Sequence, residues 1–396
     1  MMSSVTLKKG KEKIIYSKHP WIFSGAIDKI DNVKENGESV LVKSFTGEPL
    51  GIGAISLHSQ ISVRIWSFNC DEKVDKHFFE RRILSAMELR KKIIDRNSTN
   101  VYRLINSEND LLPGLIVDLY GEFIVCQFLS AGAVYWKKEI TDLLVDLLKP
   151  KGIYERSDSE TLNKENIEKS SGVLFGDSPE ALIEVVENDI KFLVDIKSGH
   201  KTGFYIDQRD NRNLLKEFVS NKSVLNCFCY TGGFSLYAKS GGAKQITNID
   251  SSSGALEILT KNFQRNNFST DDIENIEGDV FKVLRKFRDE DRKFDVIILD
   301  PPKFAESVSQ VSKAARGYKD INLLAMKLLN NGGVLFTFSC SGHITQELFS
   351  KIVSDAAVDS GRTVKIIKHL TQSSDHPVLS SFPEGLYLKG FVCEVT

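Results

Sequence analysis

Residues 224–234 have the sequence Val-Leu-Asn-Cys-Phe-Cys-Tyr-Thr-Gly-Gly-Phe, an apolar run that leads into two glycines. A short apolar run bounded by turn residues is typical of a buried strand. Paired glycines let the backbone turn sharply into a following helix and let it approach a ligand closely. The stretch therefore predicts the first strand, the first loop and the first helix of an α/β domain.

The same alternation continues along the chain after this stretch. Further buried strands are predicted at 245–249, 294–299 and 333–338, with helices at 234–239, 254–266, 280–287 and 319–329. Strands that alternate with helices form parallel sheets covered on both faces. We therefore expect a Rossmann-like, doubly wound α/β domain over residues 191–396.

Two smaller domains are predicted before the α/β domain. Residues 1–73 carry short apolar runs separated by turn signals, which is the pattern of a small β-barrel. Residues 74–190 combine predicted hairpins with a helix at 74–97 and indicate an α+β domain. The basic face of that helix is either an ordinary charged surface or a contact surface for phosphates. The polar stretch 157–171 predicts an exposed loop.

Composition excludes several classes of protein. The chain has 396 residues and a net charge of −1, so it is not basic as a whole, although residues 1–30 carry six lysines. Six cysteines without a CxxC pair fit neither a disulfide scaffold nor a zinc site, and we expect no metal. There is no apolar run of ~18 residues for a membrane span and no apolar core for a secretion signal in residues 1–13, so we expect a cytoplasmic protein.

Acidic residues follow three of the predicted strands, at the edge where a doubly wound sheet binds its ligand. Asp250, Asp279 and Asp300 follow the second, third and fourth strands. Carboxylates accept hydrogen bonds, so Asp250 suits the hydroxyls of a ribose and Asp279 suits the amino group of an adenine. The alternative is that these aspartates cap the helices that follow them.

The glycines of the first loop disfavour a dinucleotide. They do not form the G-x-G-x-x-G array whose backbone N–H groups hold a pyrophosphate. A cofactor with a ribose and an adenine but no phosphate is S-adenosylmethionine. We therefore predict that S-adenosylmethionine binds to the three aspartates and to five residues of the loop: Phe228, Tyr230, Thr231, Gly232 and Gly233.

The loop Asp300-Pro301-Pro302-Lys303-Phe304 follows the fourth strand and is the predicted substrate site. Its prolines fix the backbone and hold the carboxylate and carbonyl oxygens of Asp300 toward the pocket. Those oxygens can bind the amine of a nucleobase, on which Phe304 can stack. Lys303 is predicted to contact the substrate as well. Similar loops occur in enzymes that methylate exocyclic amines, so this loop alone does not define the methylated atom.

Cys340 closes the fifth strand and is therefore expected beside Asp300. Carbon 5 of a pyrimidine is a poor nucleophile, but a thiolate that adds to carbon 6 converts the ring into an enamine that can attack a methyl group. Cysteine suits this step because its thiolate is strongly nucleophilic and leaves readily. The remaining cysteines are expected to be inert buried side chains: Cys70, Cys126, Cys227, Cys229 and Cys393.

Taken together, these motifs resemble the bacterial large-subunit methyltransferase I group, class I methyltransferases that make 5-methylcytosine in 23S ribosomal RNA. The resemblance covers nearly the whole chain, and its motifs occur in the family's order. They are HPWIFSG (19–25), GHKTGFYIDQR (199–209), NCFCYTGGF (226–234), DPPKF (300–304), RGYKDIN (316–322), FSCSG (338–342), DHP (375–377) and PEGLYLKG (383–390).

The resemblance implies a PUA-like RNA-binding domain at 1–73, a central domain at 74–190 and a catalytic domain at 191–396. It implies S-adenosylmethionine as the methyl donor and Cys340 as the nucleophile. The implied target is one cytosine of 23S rRNA, either free or in a large-subunit assembly intermediate. Many RNA 5-methylcytosine enzymes carry a second cysteine at the position of Lys303, so another base must complete the reaction here.

The roles of three further residues stay open. His376 is either the proton acceptor or a structural loop histidine. Arg209 and Lys201 hold either the methionine carboxylate or an RNA phosphate, or they form surface ion pairs. We include Arg209 among the predicted substrate-binding residues.

Three other functions compete with carbon-5 methylation. In the first, the Asp300 loop directs methylation of a base nitrogen and Cys340 is a spectator. In the second, the chain is a non-catalytic RNA-binding assembly factor that keeps its cofactor only for stability. In the third, it methylates a small molecule, which the predicted RNA-binding domain and the basic helix argue against.

Overall fold

The computed structural model describes residues 3–158 and 161–396. Within them the chain forms two compact units. The first comprises Met1–Glu187, Val194–Ile206 and Ser374–Gly385, and the second comprises Asn188–Leu193, Asp207–Ser373 and Leu386–Thr396. The two N-terminal domains predicted from the sequence fall within the first unit up to Glu187, whereas residues 188–190 of the predicted central domain fall within the second. The predicted domain boundaries stay predictions.

The N-terminal part of the first unit is a six-stranded sheet with the strand order β2-β6-β5-β4-β1-β3. Its elements are β1 (Ser4–Leu7), α1 (Lys13–Tyr16), β2 (Trp21–Phe23), β3 (Ile27–Asp31), β4 (Ser39–Lys43), β5 (Pro49–Ile55) and β6 (Ile61–Ser67). Alternate side chains such as Val40 and Val42 are fully buried, which gives the sheet its apolar core. The strands therefore follow the short alternating apolar runs of the sequence.

The rest of the first unit is an α+β arrangement around a five-stranded sheet with the order β11-β10-β9-β8-β7. Its elements are α2 (Lys76–Ile93), β7 (Val101–Asn106), β8 (Leu115–Tyr120), β9 (Phe123–Phe128), α3 (Ala131–Tyr135), α4 (Lys137–Leu148), β10 (Gly152–Ser157), α5 (Thr161–Glu165), β11 (Ser170–Gly176) and β12 (Ile183–Glu187). The helix predicted at 74–97 is present, and its Phe79 and Ile83 are fully buried.

The exposed loop predicted at 157–171 is wrong for the part that the structure describes. The stretch contains α5 and the first residues of β11, whereas residues 159 and 160 lie outside the described residues. Glu165 is only 1% exposed and accepts a hydrogen bond from Arg64 at 2.7 Å. Its partner lies about a hundred residues earlier in the chain, so the polar composition of the stretch gives no sign of this burial.

Several cations of α2 are engaged within the first unit. Arg90 is fully buried and forms an ion pair with Asp110 at 2.6 Å. It also donates to the backbone oxygens of Arg103 and Asp375, at 2.9 and 2.8 Å. Three further cations of the helix pair with nearby glutamates: Arg81 and Arg82 with Glu72, and Lys91 with Glu88. Intramolecular pairs therefore reduce the positive charge that this helix can offer to phosphates.

The second unit is built on a seven-stranded sheet with the order β16-β15-β14-β17-β18-β20-β19. Its elements are β13 (Ile190–Val194), α6 (Arg209–Leu215), β14 (Ser223–Cys227), α7 (Gly233–Ser240), β15 (Gln245–Asp250), α8 (Ser253–Arg265), β16 (Ile273–Glu277), α9 (Val280–Asp289), β17 (Phe294–Leu299), α10 (Val311–Leu328), β18 (Leu329–Ser339), α11 (Gln346–Ser360), β19 (Val364–Leu370) and β20 (Lys389–Val395).

The five strands β14 to β18 are parallel, and β20 runs antiparallel to both of its neighbours, β18 and β19. Cys227 is paired with Ile249 on one side and with Leu299 on the other, so the carboxyl ends of these strands lie at one edge. The expected doubly wound sheet is present. Helix α10 begins at Val311, eight residues before the predicted start, so the RGYKDIN motif lies within the helix.

The buried pair of Arg90 and Asp110 yields a stability prediction. The substitution Asp110→Ala leaves the Arg90 guanidinium buried with backbone partners only, and we expect it to lower the free energy of unfolding by about 3–5 kcal/mol. The matched control is Asp142→Ala, which removes an exposed pair with Lys138. That change should lower the free energy by no more than ~1 kcal/mol. Urea unfolding measures both, and equal losses would contradict the prediction.

Candidate active site

The loop after β14 has an unusual backbone. Phe228, Tyr230 and Gly232 have positive φ angles of 60°, 49° and 85°. Left-handed conformations are costly for aromatic residues and are found mainly where surrounding contacts enforce them, often at functional sites. Here the N–H of Cys229 donates to the oxygen of Ile249 at 3.1 Å, and the N–H of Gly232 donates to the oxygen of Cys229 at 2.9 Å. The loop is thus tied to the end of the neighbouring strand.

Asp250, at the end of β15, is held by the same loop. One carboxylate oxygen accepts from the N–H of Tyr230 at 2.8 Å and the other accepts from the N–H of Ser252 at 3.0 Å. The side chain is half-buried, and each carboxylate oxygen has a second lone pair. Asp250 is therefore a fixed acceptor at the edge of the sheet.

Asp279 occupies a different environment. It is exposed and serves as the N-cap of α9, where Oδ1 accepts from the N–H of Lys282 at 2.9 Å. This oxygen therefore makes the helix-capping hydrogen bond that the sequence offered as the alternative to cofactor binding. The role of Asp279 toward an adenine stays a prediction.

Three loop residues pack closely against helices of the second unit. The backbone oxygen of Thr231 accepts from the side-chain amide of Asn262 at 3.0 Å. A Cβ atom on Gly232 would lie 2.6 Å from Cγ of Leu259, and one on Gly233 would lie 3.2 Å from Cδ of Arg212. Close packing and the left-handed backbone therefore both favour glycine at 232, whereas at 233 a larger side chain would require Arg212 to shift.

The structure brings Cys340 beside the Asp300 loop. Cys340 follows β18, Asp300 follows β17, and these strands are hydrogen-bonded neighbours. The Cys340 thiol lies 3.9 Å from the backbone oxygen of Pro301, within the distance of a hydrogen bond to sulfur. Asp300 and Cys340 are both half-buried. A nucleobase bound by the loop would therefore lie close to the thiol.

Two residues beside Cys340 were not predicted. Lys389 is only 5% exposed, and its Nζ donates to the backbone oxygen of Ser341 at 2.8 Å. Burial lowers the pKa of Lys389 to about 8, the negative charge of Cys340 opposes this shift, and Lys303 adds to it. The hydroxyl of Tyr318 lies 3.1 Å from Oγ of Ser341, and burial raises the pKa of Tyr318. The only sign of Lys389 in the sequence is that a single lysine stands at the start of an apolar strand.

Phe304 is part of an aromatic cluster. Its ring centroid lies 4.6 Å from that of Tyr318, 5.9 Å from that of Phe281 and 6.4 Å from that of Phe228. The side chain is half-buried, whereas Lys303 is exposed. Phe304 therefore packs against its own unit, and its predicted stacking on a nucleobase stays untested.

Arg209, His376 and Lys201 are the remaining candidate residues. The Arg209 side chain is 4% exposed, and its Nε is 3.2 Å from Oδ1 of Asp210. His376 belongs to the first unit, is 3% exposed and lies 3.1 Å from Oδ1 of Asp375. The two roles considered for His376, proton acceptor and structural loop histidine, both stay predictions. Lys201 also belongs to the first unit, where its ammonium lies 4.5 Å from the ring centroid of Tyr205.

The other cysteines occupy environments that suppress thiolate formation. Burial raises the pKa of Cys126, Cys227 and Cys229, and it raises that of Cys393 to about 12. Burial also raises the pKa of Cys70, which is partly exposed. Four of these thiols are buried as expected, whereas Cys70 is only half-buried, and the inert role of all five stays a prediction.

Neither a cluster of metal ligands nor a membrane-spanning helix occurs in residues 3–158 and 161–396. These residues contain no group of three or more His, Cys, Asp or Glu side chains that could hold a metal ion. None of the helices described in that part of the chain is long and apolar enough to cross a membrane.

Comparison with known proteins defines the class. A family model for S-adenosylmethionine-dependent methyltransferases matches residues 162–378, and a model for PUA-like domains matches residues 5–68. A protein of Aliivibrio fischeri (strain ATCC 700601 / ES114) named Ribosomal RNA large subunit methyltransferase I is 50% identical over 395 residues, covering 100% of both chains. The protein of that name from Klebsiella pneumoniae (strain 342) is 48% identical over 391 residues, covering 99% of this chain and 98% of the relative.

The chain therefore belongs to the ribosomal RNA large subunit methyltransferase I family of S-adenosylmethionine-dependent methyltransferases. Solved structures have the same fold. A Streptococcus mutans protein assigned to the SAM-dependent methyltransferases has a TM-score of 0.84, and the methyltransferase candidate SMU.776, solved with SAH, has a TM-score of 0.86. Each is 23% identical and aligns over 100% of both chains.

The predicted fold and cofactor are thus confirmed. The protein has a PUA-like domain followed by an α/β methyltransferase domain, and its methyl donor is S-adenosylmethionine. The residues present fit this donor, because the fixed carboxylate of Asp250 accepts hydrogen bonds and a ribose offers two hydroxyl donors.

Gly232 yields a second stability prediction. The substitution Gly232→Ala forces a left-handed alanine and a clash with Leu259, and we expect it to lower the free energy of unfolding by about 2–4 kcal/mol. The matched control is Gly254→Ala in α8, where a Cβ meets nothing within 4 Å. That control should be neutral or stabilising by up to about 1 kcal/mol, since alanine favours helix. Thermal and urea unfolding test both, and a neutral Gly232→Ala would contradict the packing argument.

Lys389 yields a pH prediction. The folded protein loses the Lys389 proton near pH 8, whereas an unfolded chain loses it near the ordinary value of 10.5. Between these pH values the unfolded state binds more protons than the folded state. The free energy of unfolding therefore increases with rising pH. Relative to Lys389→Met, the wild-type protein should become more stable from pH 8 to pH 10.5. Urea unfolding at several pH values measures this, and a constant difference would contradict it.

Proposed function

We propose that this protein methylates carbon 5 of one cytosine in 23S ribosomal RNA through a covalent adduct with Cys340. The relatives at 50% and 48% identity carry the name of a large-subunit ribosomal RNA methyltransferase, which supports the RNA substrate. The observation that carries the chemistry is the Cys340 thiol, 3.9 Å from the backbone oxygen of Pro301 in the Asp300 loop. A thiol beside a nucleobase-binding loop suits the methylation of a ring carbon.

The proposed reaction begins with addition of the Cys340 thiolate to carbon 6 of the cytosine. A new C–S bond forms, and the electrons of the C5=C6 double bond make carbon 5 nucleophilic. S-adenosylmethionine, when bound, supplies an electrophilic methyl group. Carbon 5 would bond to that methyl group as the methyl–sulfur bond of the donor breaks and leaves a neutral thioether. A base then removes the carbon-5 proton, and the electrons of the C–H bond restore the double bond as the bond between carbon 6 and sulfur breaks. Cys340 then leaves as a thiolate.

The remaining residues bind and orient in this proposal. Asp300 accepts a hydrogen bond from the cytosine amine, and Phe304 and Lys303 contact the base and its phosphate. Arg209 contributes a further substrate contact if its pair with Asp210 opens. The cofactor is held by the strand-end carboxylates Asp250, Asp279 and Asp300 and by the loop that contains Phe228, Tyr230, Thr231, Gly232 and Gly233.

The PUA-like domain is proposed to bind the RNA that carries the target. Lys9, Lys11 and Lys13 are exposed near its N-terminal strand and could contact phosphates. The target cytosine is proposed to flip out of its stack to reach Cys340. The partner is 23S rRNA or a large-subunit assembly intermediate, and the proposed location is the cytoplasm. No metal ion and no membrane take part in the proposed function.

Methylation of a base nitrogen is the second candidate. It is favoured by the Asp-Pro-Pro sequence and by the half-buried Asp300 at the end of β17. In that reaction an oxygen of the loop accepts from an exocyclic amine, and Cys340 has no chemical role. The two functions therefore differ in the modified nucleoside and in their response to loss of the thiol.

The proposal predicts the effect of Cys340→Ala on turnover. Purified protein is incubated with tritiated S-adenosylmethionine and unmodified 23S rRNA, and the RNA is digested to nucleosides. We expect label in 5-methylcytidine, and we expect Cys340→Ala to lower turnover by about a thousandfold or more, because the nucleophile is lost. The matched control is Cys70→Ala, which removes a partly exposed thiol from the first unit and should retain full activity.

Other outcomes discriminate the alternatives. Label in another nucleoside, or unchanged turnover without Cys340, would overturn the thiolate mechanism and support nitrogen methylation. RNA binding without any turnover, on free rRNA and on assembly intermediates, would support a non-catalytic assembly factor.

A further inference from the structure

Lys389 lies at the first position of β20, in an apolar part of the second unit. It is paired in register with Ser339, the last residue of β18 and the neighbour of Cys340. The adjoining Leu388 is 1% exposed and Phe391 is fully buried. The Lys389 amino group donates to the oxygen of Ser341, so it is held to the residue that follows Cys340.

A buried ammonium is costly unless an anion compensates it. The charged groups that act on Lys389 are Cys340, whose thiolate favours the ammonium, and Lys303, which disfavours it. Electrostatic coupling between two groups is mutual, so the Lys389 ammonium favours the Cys340 thiolate to the same extent. The thiol is therefore the group for which this lysine provides a counter-charge.

Tyr318 completes the surroundings of the thiol. Its hydroxyl lies 3.1 Å from Oγ of Ser341, and the negative charge of Cys340 helps to raise the pKa of Tyr318. Tyr318 thus stays protonated and does not compete with Cys340 for the positive charge of Lys389. Asp300 belongs to the adjacent loop and is expected to face the substrate.

We propose that Lys389 is a positioning residue that accepts the proton of the Cys340 thiol and holds the resulting thiolate as an ion pair. The S–H bond breaks, its electron pair stays on sulfur, and the proton forms a third N–H bond on the amine. When Cys340 later leaves carbon 6 as a thiolate, it forms the ion pair with the Lys389 ammonium again. This inference rests on the proposed function, in which Cys340 is the nucleophile.

The test is the pH dependence of Cys340 alkylation by iodoacetamide in the full-length protein, without RNA or S-adenosylmethionine. The Cys340 peptide is quantified by mass spectrometry. In Lys389→Met we expect the midpoint of the pH profile to rise by about one unit, and the rate near pH 7 to fall about tenfold. The matched control is Lys365→Met, which removes an exposed lysine paired with Glu394 and should follow the wild type.

A reciprocal measurement covers the case in which Lys389→Met does not fold. The amine of Lys389 is titrated by NMR with labelled lysine in the wild-type protein and in Cys340→Ala. Loss of the thiolate should lower the pKa of Lys389. An unchanged alkylation midpoint in folded Lys389→Met, or an unchanged pKa of Lys389 in Cys340→Ala, would overturn the pairing.

These measurements are independent of the proposed function. Neither requires turnover, so they report on the ion pair alone. Failure of the proposed function would be seen in the nucleoside assay, as methylation that persists in Cys340→Ala.

Discussion

The hydrogen-bond register among β15, β14, β17 and β18 is the constraint on which the site depends. Parallel strands in register end at the same edge, so the residues that follow them meet, although they lie far apart in the sequence. Asp250, Asp300 and Cys340 gain their relation to one another in this way. The first loop adds a second constraint, because the N–H groups of Cys229 and of the left-handed Tyr230 donate to Ile249 and Asp250 at the end of β15.

The features that could be predicted from the sequence are those encoded by local periodicity and by strand ends. The parallel sheet, the first loop with its glycines and the position of Cys340 beside Asp300 all follow from where apolar runs stop. The start of α10 could be predicted only in part, because Val311, Ala314 and Tyr318 recur at helical spacing but Gly317, a poor helix former, interrupts the pattern. The cap formed by Asp279 could also be predicted, because a helix cap depends only on the local sequence.

What could not be predicted depends on pairing between distant segments. Lys389 is separated from Ser341 by nearly fifty residues, and only the antiparallel placement of β20 brings them together. Glu165 is likewise buried against a distant residue, Arg64, which lies on a strand of the N-terminal sheet. In both cases a charged residue is buried because of its partner, whereas composition assigns such residues to the surface. Charged residues of this kind are therefore the ones that sequence patterns misplace.

The position of β20 between β18 and β19 has a consequence for the order in which the sheet can form. Among the described strands β19 pairs with β20 alone, so before β20 is in place β19 has no partner and β18 has a free edge. Such edges are prone to pair with other chains until Lys389–Val395 inserts between them. The same insertion delivers the lysine to the thiol. Until β20 is in place, Cys340 therefore lacks the proposed counter-charge, so closure of the sheet and assembly of the proposed pair are one event.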